Sequence, residues 1–374
     1  MNQFHPLRVK DIRKETQDCV SIAFAPESAA EASFQFKPGQ YLTLKANIEG
    51  EEVRRSYSLC SAPSDGELRV AVKRVENGKF STWANSELQE GAVLESMIPN
   101  GKFILDIDSE AQRNYLAFAA GSGITPILSQ IQEVLRCEPK SQFTLFYVNR
   151  ETHSIIFREK LQELKDEYLN RFSMFHIMTK EPQDIDLFNG RLDEKKCDAI
   201  LASQWVNVAE MHSAFLCGPE SMIWGCKSAL ERAGMAPEQV KFELFTSSSP
   251  KPAESAAAIS SPKQQLAQAD GNELSIVLDG VTTVLQVPES KSIVDAALDA
   301  GLDAPYSCLG GVCCTCRAKM TKGKAEMDVN YALEASETEA GFVLTCQAKL
   351  VGEGPFEVDF DQQQESACVA ERAI

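Results

Sequence analysis

Apolar and polar residues change their rhythm twice along the chain, and each change marks a new kind of element. Near the start, Val20, Ile22 and Phe24 alternate with polar neighbours, as do Leu68, Val70 and Val72. That two-residue repeat predicts half-buried strands. Pro38-Gly39 leads into a third strand over 41–44, 54–60 supplies a fourth, and a short helix is expected near 80–88. Short strands separated by turn signals over residues 1–108 predict a small antiparallel barrel.

The rhythm changes at Tyr115. An apolar run over 115–120 is followed by glycines, and then Ile124, Ile127, Leu128, Ile131, Val134 and Leu135 fall on one helical face. Further strands are expected at 143–148, 172–178, 214–217 and 240–244. Helices are expected through Phe157, Leu161, Leu164 and Tyr168, and through Met222, Ile223, Cys226, Ala229 and Leu230. Strands alternating with helices predict a parallel sheet covered on both faces.

After Phe245 the pattern fades. Residues 246–271 are rich in Ser, Ala, Pro and Gln and read as a flexible linker. Periodicity returns at 272–361 with two strands, 274–278 and 283–287, and a helix near 293–300, before a tail over 362–374. There is no internal repeat. A length of 374 residues suits two or three domains with separate cores.

Composition narrows the function. No apolar run approaches the roughly 20 residues that span a bilayer, and the first residues lack the apolar stretch of a signal peptide, so a cytoplasmic protein with no membrane partner is expected. The net charge of −17 argues against nucleic acid as a partner. Residues 272–374 carry much of it, with 17 acidic against 7 basic residues, which predicts a partner with a basic docking patch. The four histidines form no zinc-protease or Glu-x-x-His pair, and none lies beyond residue 212. A Rieske centre near the C-terminus is therefore excluded.

Seven of the twelve cysteines are scattered, but Cys308, Cys313, Cys314, Cys316 and Cys346 are grouped. Cys308, Cys313 and Cys316 follow a C-x4-C-x2-C spacing, with Cys346 thirty residues on. Thiolates from one tight loop plus a distant fourth suit a [2Fe–2S] cluster better than a structural zinc, which favours paired short spacings. Cys314 is expected to be a bystander. The stretch Pro305-Tyr306-Ser307-Cys308-Leu309-Gly310-Gly311-Val312-Cys313-Cys314-Thr315-Cys316 resembles a plant-type ferredoxin loop.

Arg55-Ser56-Tyr57-Ser58 lies on an expected barrel strand, where a guanidinium suits a pyrophosphate and an aromatic face an isoalloxazine. With Pro38-Gly39-Gln40-Tyr41 and Gly78-Lys79-Phe80-Ser81-Thr82, the order resembles the ferredoxin–NADP reductase family. By that resemblance Arg55, Ser81 and Thr82 hold the FAD pyrophosphate, Gly78 and Phe80 shape the same turn, Tyr57 packs on the flavin, and Ser58 lies near N5. Gly121-Ser122-Gly123-Ile124-Thr125-Pro126 is similar to the family's nicotinamide-nucleotide loop, and Cys217-Gly218-Pro219 to the segment that sets a cysteine beside the nicotinamide. Glu243-Leu244-Phe245 resembles the reductase C-terminus, where an acid and an aromatic approach the flavin. Ser58, Cys217 and Glu243 are thus the catalytic candidates. Arg150, after the second strand of the nucleotide region, tilts the cofactor toward NADPH over NADH.

The resemblance implies a multidomain chain. It comprises an antiparallel β-barrel FAD domain (1–108), an α/β nucleotide domain (109–245) and a β-grasp-type [2Fe–2S] ferredoxin domain (272–361). Electrons would pass from NAD(P)H through FAD and the cluster to a separate oxygenase. The stretches 4–9, 51–55 and 327–334 look like the reductase subunits that serve phenylacetyl-CoA epoxidation, in which the oxygenase is a di-iron protein. Reductases of other oxygenases, hydroxylases, desaturases or hybrid-cluster protein share the domain order, and a redox sensor is the alternative of a different class.

Overall fold

The computed structural model describes residues 4–27, 30–245 and 271–362, in two compact units that divide near residue 246. The expected linker, apart from Gly271, and the expected tail beyond residue 362 lie outside the described residues.

The first unit begins with strands β1 (His5–Thr16), β2 (Cys19–Pro26), β3 (Tyr41–Ile48), β4 (Glu51–Ser58), β5 (Leu68–Lys73) and β6 (Val93–Ser96), with helix α1 (Lys79–Ser86) between the last two. They form one antiparallel sheet in the order β4-β3-β6-β1-β2-β5. A single bridge, Leu59 to Val70, joins its two edges, and the Cys60 N–H donates to the Arg69 carbonyl at 2.8 Å beside it. The sheet is thereby closed into the expected barrel around Leu7, Ile22, Leu42, Leu59, Val70 and Phe80.

Two of these strands carry little periodic signal. In β1 the pairing slips between Val9 and Asp11, so the alternation begun by Leu7 and Val9 is lost. Strand β6 is four residues long and turns only Leu94 and Ser96 inward.

The next five strands are β7 (Asn114–Ala120), β8 (Gln142–Asn149), β9 (Phe172–Met178), β10 (Met211–Cys217) and β11 (Val240–Glu243). All pair in parallel, in the order β11-β10-β7-β8-β9. Helices α2 (Ile124–Cys137), α3 (Arg158–Glu167), α4 (Glu194–Leu201) and α5 (Glu220–Arg232) connect them. Only α4 has no sequence signal, since an eight-residue helix with Cys197, Ile200 and Leu201 buried is too short to show a period. The order reverses between β7 and β10, which opens a crevice at their C-terminal ends.

Helix α2 was expected to bury one face and buries both. Its apolar face lies on the sheet, and its polar residues meet backbone groups of the barrel half. Ser129 Oγ donates to the Ser61 carbonyl at 2.6 Å, Gln130 Nε2 to that of Phe103 at 2.7 Å, and Gln132 Nε2 to that of Cys60 at 3.0 Å. The Glu133 carboxylate accepts from the Ser64 N–H at 3.0 Å and from its hydroxyl at 2.6 Å. Buried side-chain donors and acceptors thus satisfy backbone groups that the barrel ladder leaves over.

The second unit contains β12 (Asn272–Leu278), β13 (Val281–Val287), α6 (Ile293–Asp299), β14 (Arg317–Lys322), β15 (Lys324–Met327), α7 (Ala335–Glu339), β16 (Phe342–Leu344), β17 (Ala348–Val351) and β18 (Phe356–Asp359). The main sheet runs β13-β12-β18-β14-β16, with β12 and β18 parallel, and β15 pairs with β17. Helix α6 contributes Ile293, Val294, Ala296 and Ala297 to a core with Leu274, Ile276 and Val358. A helix packed on a mixed sheet of this kind is the expected β-grasp arrangement. No helix among the described residues is long and apolar enough to cross a membrane.

Replacing Ser129 by Ala leaves the buried Ser61 carbonyl unpaired, so the loss should be about 1–3 kcal/mol. Urea denaturation of the full chain checks this. An unchanged midpoint would mean that the polar row of α2 does not hold the two halves of the unit together.

Candidate functional site

The crevice is built by glycines. The Gly121–Gly123 turn ends β7 and runs into α2. A Cβ on Gly123 would stand 2.1 Å from the Cys217 carbonyl oxygen, and one on Gly218 would stand 2.9 Å from Cβ of Ala120. The ends of β7 and β10 therefore touch backbone to backbone, which only glycine permits. The Tyr147 hydroxyl donates to the Gly121 carbonyl at 2.9 Å, and Thr125 Oγ1 donates to that of Ser122 at 3.0 Å. Thr125 thus braces the turn, while Pro126 is buried in the first turn of α2. Pro219 is the N-cap of α5, and neither α2 nor α5 has a side-chain cap. Both helices start at the strand ends, where a dinucleotide phosphate binds in such sheets.

Beside this turn the three catalytic candidates converge. Cys217 and Glu243 are register partners on β10 and β11, and Ser58, at the end of β4, donates from its hydroxyl to Glu243 Oε2 at 3.0 Å. Crowding by protein pushes the Glu243 carboxyl up to about 8, with the Ser58 hydrogen bond opposing. Burial holds the Cys217 thiol well above the usual thiol range. Both groups are therefore uncharged at neutral pH.

The remaining flavin candidates divide by what already engages them. The Tyr57 and Phe80 rings lie 5.4 Å apart, with Phe80 fully buried. Arg55 is exposed, and its Nη1 donates to the Arg54 carbonyl at 2.6 Å. The Ser56 hydroxyl hydrogen-bonds Thr43 Oγ1 at 3.0 Å on the adjacent strand. Ser81 Oγ accepts from the Val75 N–H at 3.1 Å and donates to the Gly78 carbonyl at 3.2 Å, so it supports the turn before α1 from behind. A Cβ on Gly78 would stand 2.5 Å from Ser81 Oγ. Gly78 caps α1 without a side chain, and Thr82 is exposed in the first turn. Phe245 ends the described part of this unit with 37% of its surface exposed.

At the exit of β8, Arg150 is exposed and its carbonyl accepts from the Lys180 N–H at 3.0 Å. The turn beyond it is pinned by Glu181, whose carboxylate accepts from the Thr152 N–H at 2.6 Å and hydroxyl at 2.7 Å. Those bonds lower the Glu181 pKa. No sequence pattern points to Glu181, which lies 29 residues from the turn it holds.

In the second unit the four predicted thiols come together as two hydrogen-bonded pairs, Cys308 with Cys313 and Cys316 with Cys346. No three side chains converge on a single-ion position among the described residues. The loop winds through left-handed conformations at Leu309, Gly311 and Cys314, with φ of 52°, 76° and 54°. The Cys313 thiol, against burial and with the backbone N–H groups of Gly310, Val312 and Cys313 assisting, draws Cys308 down to about 6. A Cβ on Gly311 would stand 2.9 Å from the Val329 carbonyl. Two thiol pairs ringed by N–H donors fit a two-iron cluster with bridging sulfides. The Cys314 thiol instead donates to the Ala332 carbonyl at 3.4 Å.

Comparison with known proteins agrees with this division. Family models for an oxidoreductase FAD-binding domain, an oxidoreductase NAD-binding domain and a 2Fe-2S iron-sulfur cluster binding domain match residues 6–104, 118–228 and 276–351. The chain is 42% identical to one of the subunits of the 1,2-phenylacetyl-CoA epoxidase of Escherichia coli K12, over 96% of this chain and 99% of that one. It is 33% identical to the ferredoxin reductase component of 3-ketosteroid-9-alpha-monooxygenase of Rhodococcus rhodochrous, over 92% and 94% of the two chains. Phthalate dioxygenase reductase, a modular structure for electron transfer from pyridine nucleotides to [2Fe-2S], superposes with a TM-score of 0.59 at 21% identity, over 96% of this chain and 98% of that one.

Gly123→Ala should force the β7 and β10 ends apart and raise KM for the nicotinamide nucleotide at least tenfold, with FAD content unchanged. Steady-state kinetics alongside the flavin absorbance read this, and an unaltered KM would contradict the packing argument. Glu243 gives a pH signature. Its folded value is raised from 4.5 to about 8, so its stabilising contribution is full below about pH 4.5 and declines as pH rises through about 8. In the FAD-free protein, Glu243→Gln should therefore gain stability relative to the parent as pH climbs from about 5 to about 8. A constant difference in denaturation midpoint across that window would count against it.

Proposed function

The chain belongs to the reductase components of oxygenases, flavin- and NAD-binding oxidoreductases with a [2Fe–2S] domain, and from that membership we propose the route and destination of its electrons. When bound, FAD accepts a hydride from NAD(P)H and the cluster carries electrons one at a time, which matches a two-electron donor to a one-electron acceptor. The convergence of Ser58, Cys217 and Glu243 is the observation that carries this reading.

Ser58 and the protonated Glu243 offer a neutral hydrogen-bonding pair at the reactive edge of the flavin, and place no negative charge where the hydride arrives. The neutral Cys217 thiol packs beside the nicotinamide and is not a nucleophile. Arg55, Ser56, Gly78, Ser81 and Thr82 form the FAD phosphate cradle, Ser56 and Ser81 by fixing its backbone, while Tyr57, Phe80 and Phe245 cover the flavin. Gly121, Gly123, Thr125, Pro126, Gly218 and Pro219 form the dinucleotide turn, and Arg150 favours NADPH. Cys308, Cys313, Cys316 and Cys346 would supply the four thiolates that hold the [2Fe–2S] cluster. These roles follow functional divisions at 1–108, 109–245, 272–361 and a linker between the last two.

The acceptor is a separate cytoplasmic oxygenase, most simply the di-iron component that epoxidises phenylacetyl-CoA. Identity of 42% over almost both full lengths supports that choice, while the match to a ketosteroid monooxygenase reductase favours the second reading, another oxygenase. The acidic excess of residues 272–374 suits a basic docking patch on that partner.

Anaerobic mixing with NADPH should bleach first the flavin and then the cluster absorbance, and faster than mixing with NADH. Electron delivery to the oxygenase should slow as salt rises from about 50 to 500 mM, as screening predicts. If neither nucleotide bleaches the protein the reductase reading falls, and salt-independent delivery would sink the basic patch.

A further inference from the structure

Cys346 is the thiol that sequence places far from the other three, and the next residue ties it to them. Gln347 is 5% exposed, and its Nε2 donates to the Leu309 carbonyl at 2.8 Å and to Cys346 Sγ at 3.7 Å. A primary amide nitrogen carries two hydrogens, and here each has its own acceptor. The orientation of the amide is fixed by the carbonyl, which can only accept. The stem is fixed as well: the position of a Cβ on Gly311 lies 3.2 Å from Gln347 Cγ, so the loop packs directly on this side chain. The Gln347 backbone carbonyl accepts from the Asp328 N–H at 3.0 Å, and its N–H donates to the Leu344 carbonyl at 2.8 Å. Every polar backbone and donor group of the residue is thereby held.

We propose that Gln347 is a positioning residue that straps the cysteine loop to the fourth ligand and raises the reduction potential of the cluster through its N–H to Cys346. The inference rests on the four-thiolate reading of this site. One-electron reduction adds a negative charge shared between irons and sulfurs, so a hydrogen bond to a ligand sulfur is worth more in the reduced state. The donor is buried, where water cannot replace it. Removing it therefore favours the oxidised cluster.

The test is potentiometry on the full-length holoprotein, followed by the EPR signal of the reduced cluster. Gln347→Met keeps the length of the side chain and removes the donor, while Gln347→Glu replaces the donor with an acceptor. The expected order of potential is parent above Gln347→Met above Gln347→Glu. The first step should disfavour reduction by about three- to tenfold, or about 30–60 mV for one electron. The flavin potential should not move, which separates a local effect from general loosening. A second measurement needs no variant: with ¹⁵N in glutamine side chains, pulsed EPR of the parent cluster should show a coupled amide nitrogen. Unshifted cluster potentials, or no coupled side-chain nitrogen, overturn the role of Gln347. Absence of a reduced [2Fe–2S] signal in the parent would instead overturn the cluster reading beneath it.

Discussion

Backbone contact between the ends of β7 and β10 is the constraint from which the reductase unit takes its shape. With Gly123 and Gly218 lacking side chains, the two turns interlock at the point where the strand order reverses. The direction in which α2 leaves its strand follows from that contact. So does the burial of its polar face against the barrel, where four side-chain interactions meet groups of the other half. Strand β11 pairs with β10 in a register that sets Glu243 beside Cys217, and within reach of Ser58. A hydride donor and acceptor must meet at van der Waals distance, and this chain of contacts joins the barrel to the sheet with side chains that are nearly all buried.

The two groups of candidate residues differ in how far hydrogen bonds offset burial. Around the Ser58–Glu243 pair, crowding with few donors raises the Glu243 carboxyl and the Cys217 thiol, so both remain neutral. Among the cluster candidates, the accepting thiols Cys308 and Cys346 are drawn down, Cys308 to about 6 by the Cys313 thiol and then by backbone N–H groups, while their donating partners Cys313 and Cys316 are held well above the usual thiol range. Within each thiol pair, whether a group accepts or donates the nearest hydrogen bond decides which way it moves. A site that receives hydride gains from neutrality, whereas one that binds iron needs thiolate.

Much of this is legible in the sequence, and the exceptions have physical causes. The C-x4-C-x2-C spacing is local, so three cluster-ligand candidates can be read from one loop, and the parallel sheet from its long apolar runs. Strand β1 is hidden because its pairing slips, and α4 because it is short. The polar row of α2 looks like a solvated face, since nothing in a single helix reveals that another subdomain covers it. Ser81 and Thr125 are read as ligand candidates from their motifs, and the structure adds that their hydroxyls brace the turns that carry them. Residue type announces a hydroxyl at a phosphate turn, but not which way it points.

Separate cores extend the same logic to the chain as a whole. The barrel and the parallel sheet have their own apolar clusters, and the cysteine loop is carried by a third, built on Leu274, Ile276, Val294 and Val358. Each site therefore gets its geometry from residues of its own unit. Hydride transfer needs that internal precision, and the flavin and nicotinamide candidates accordingly share one compact unit. One-electron transfer tolerates greater separation, and the four cluster-ligand candidates are all supplied by the other. The division of the chain follows the division between two-electron and one-electron chemistry.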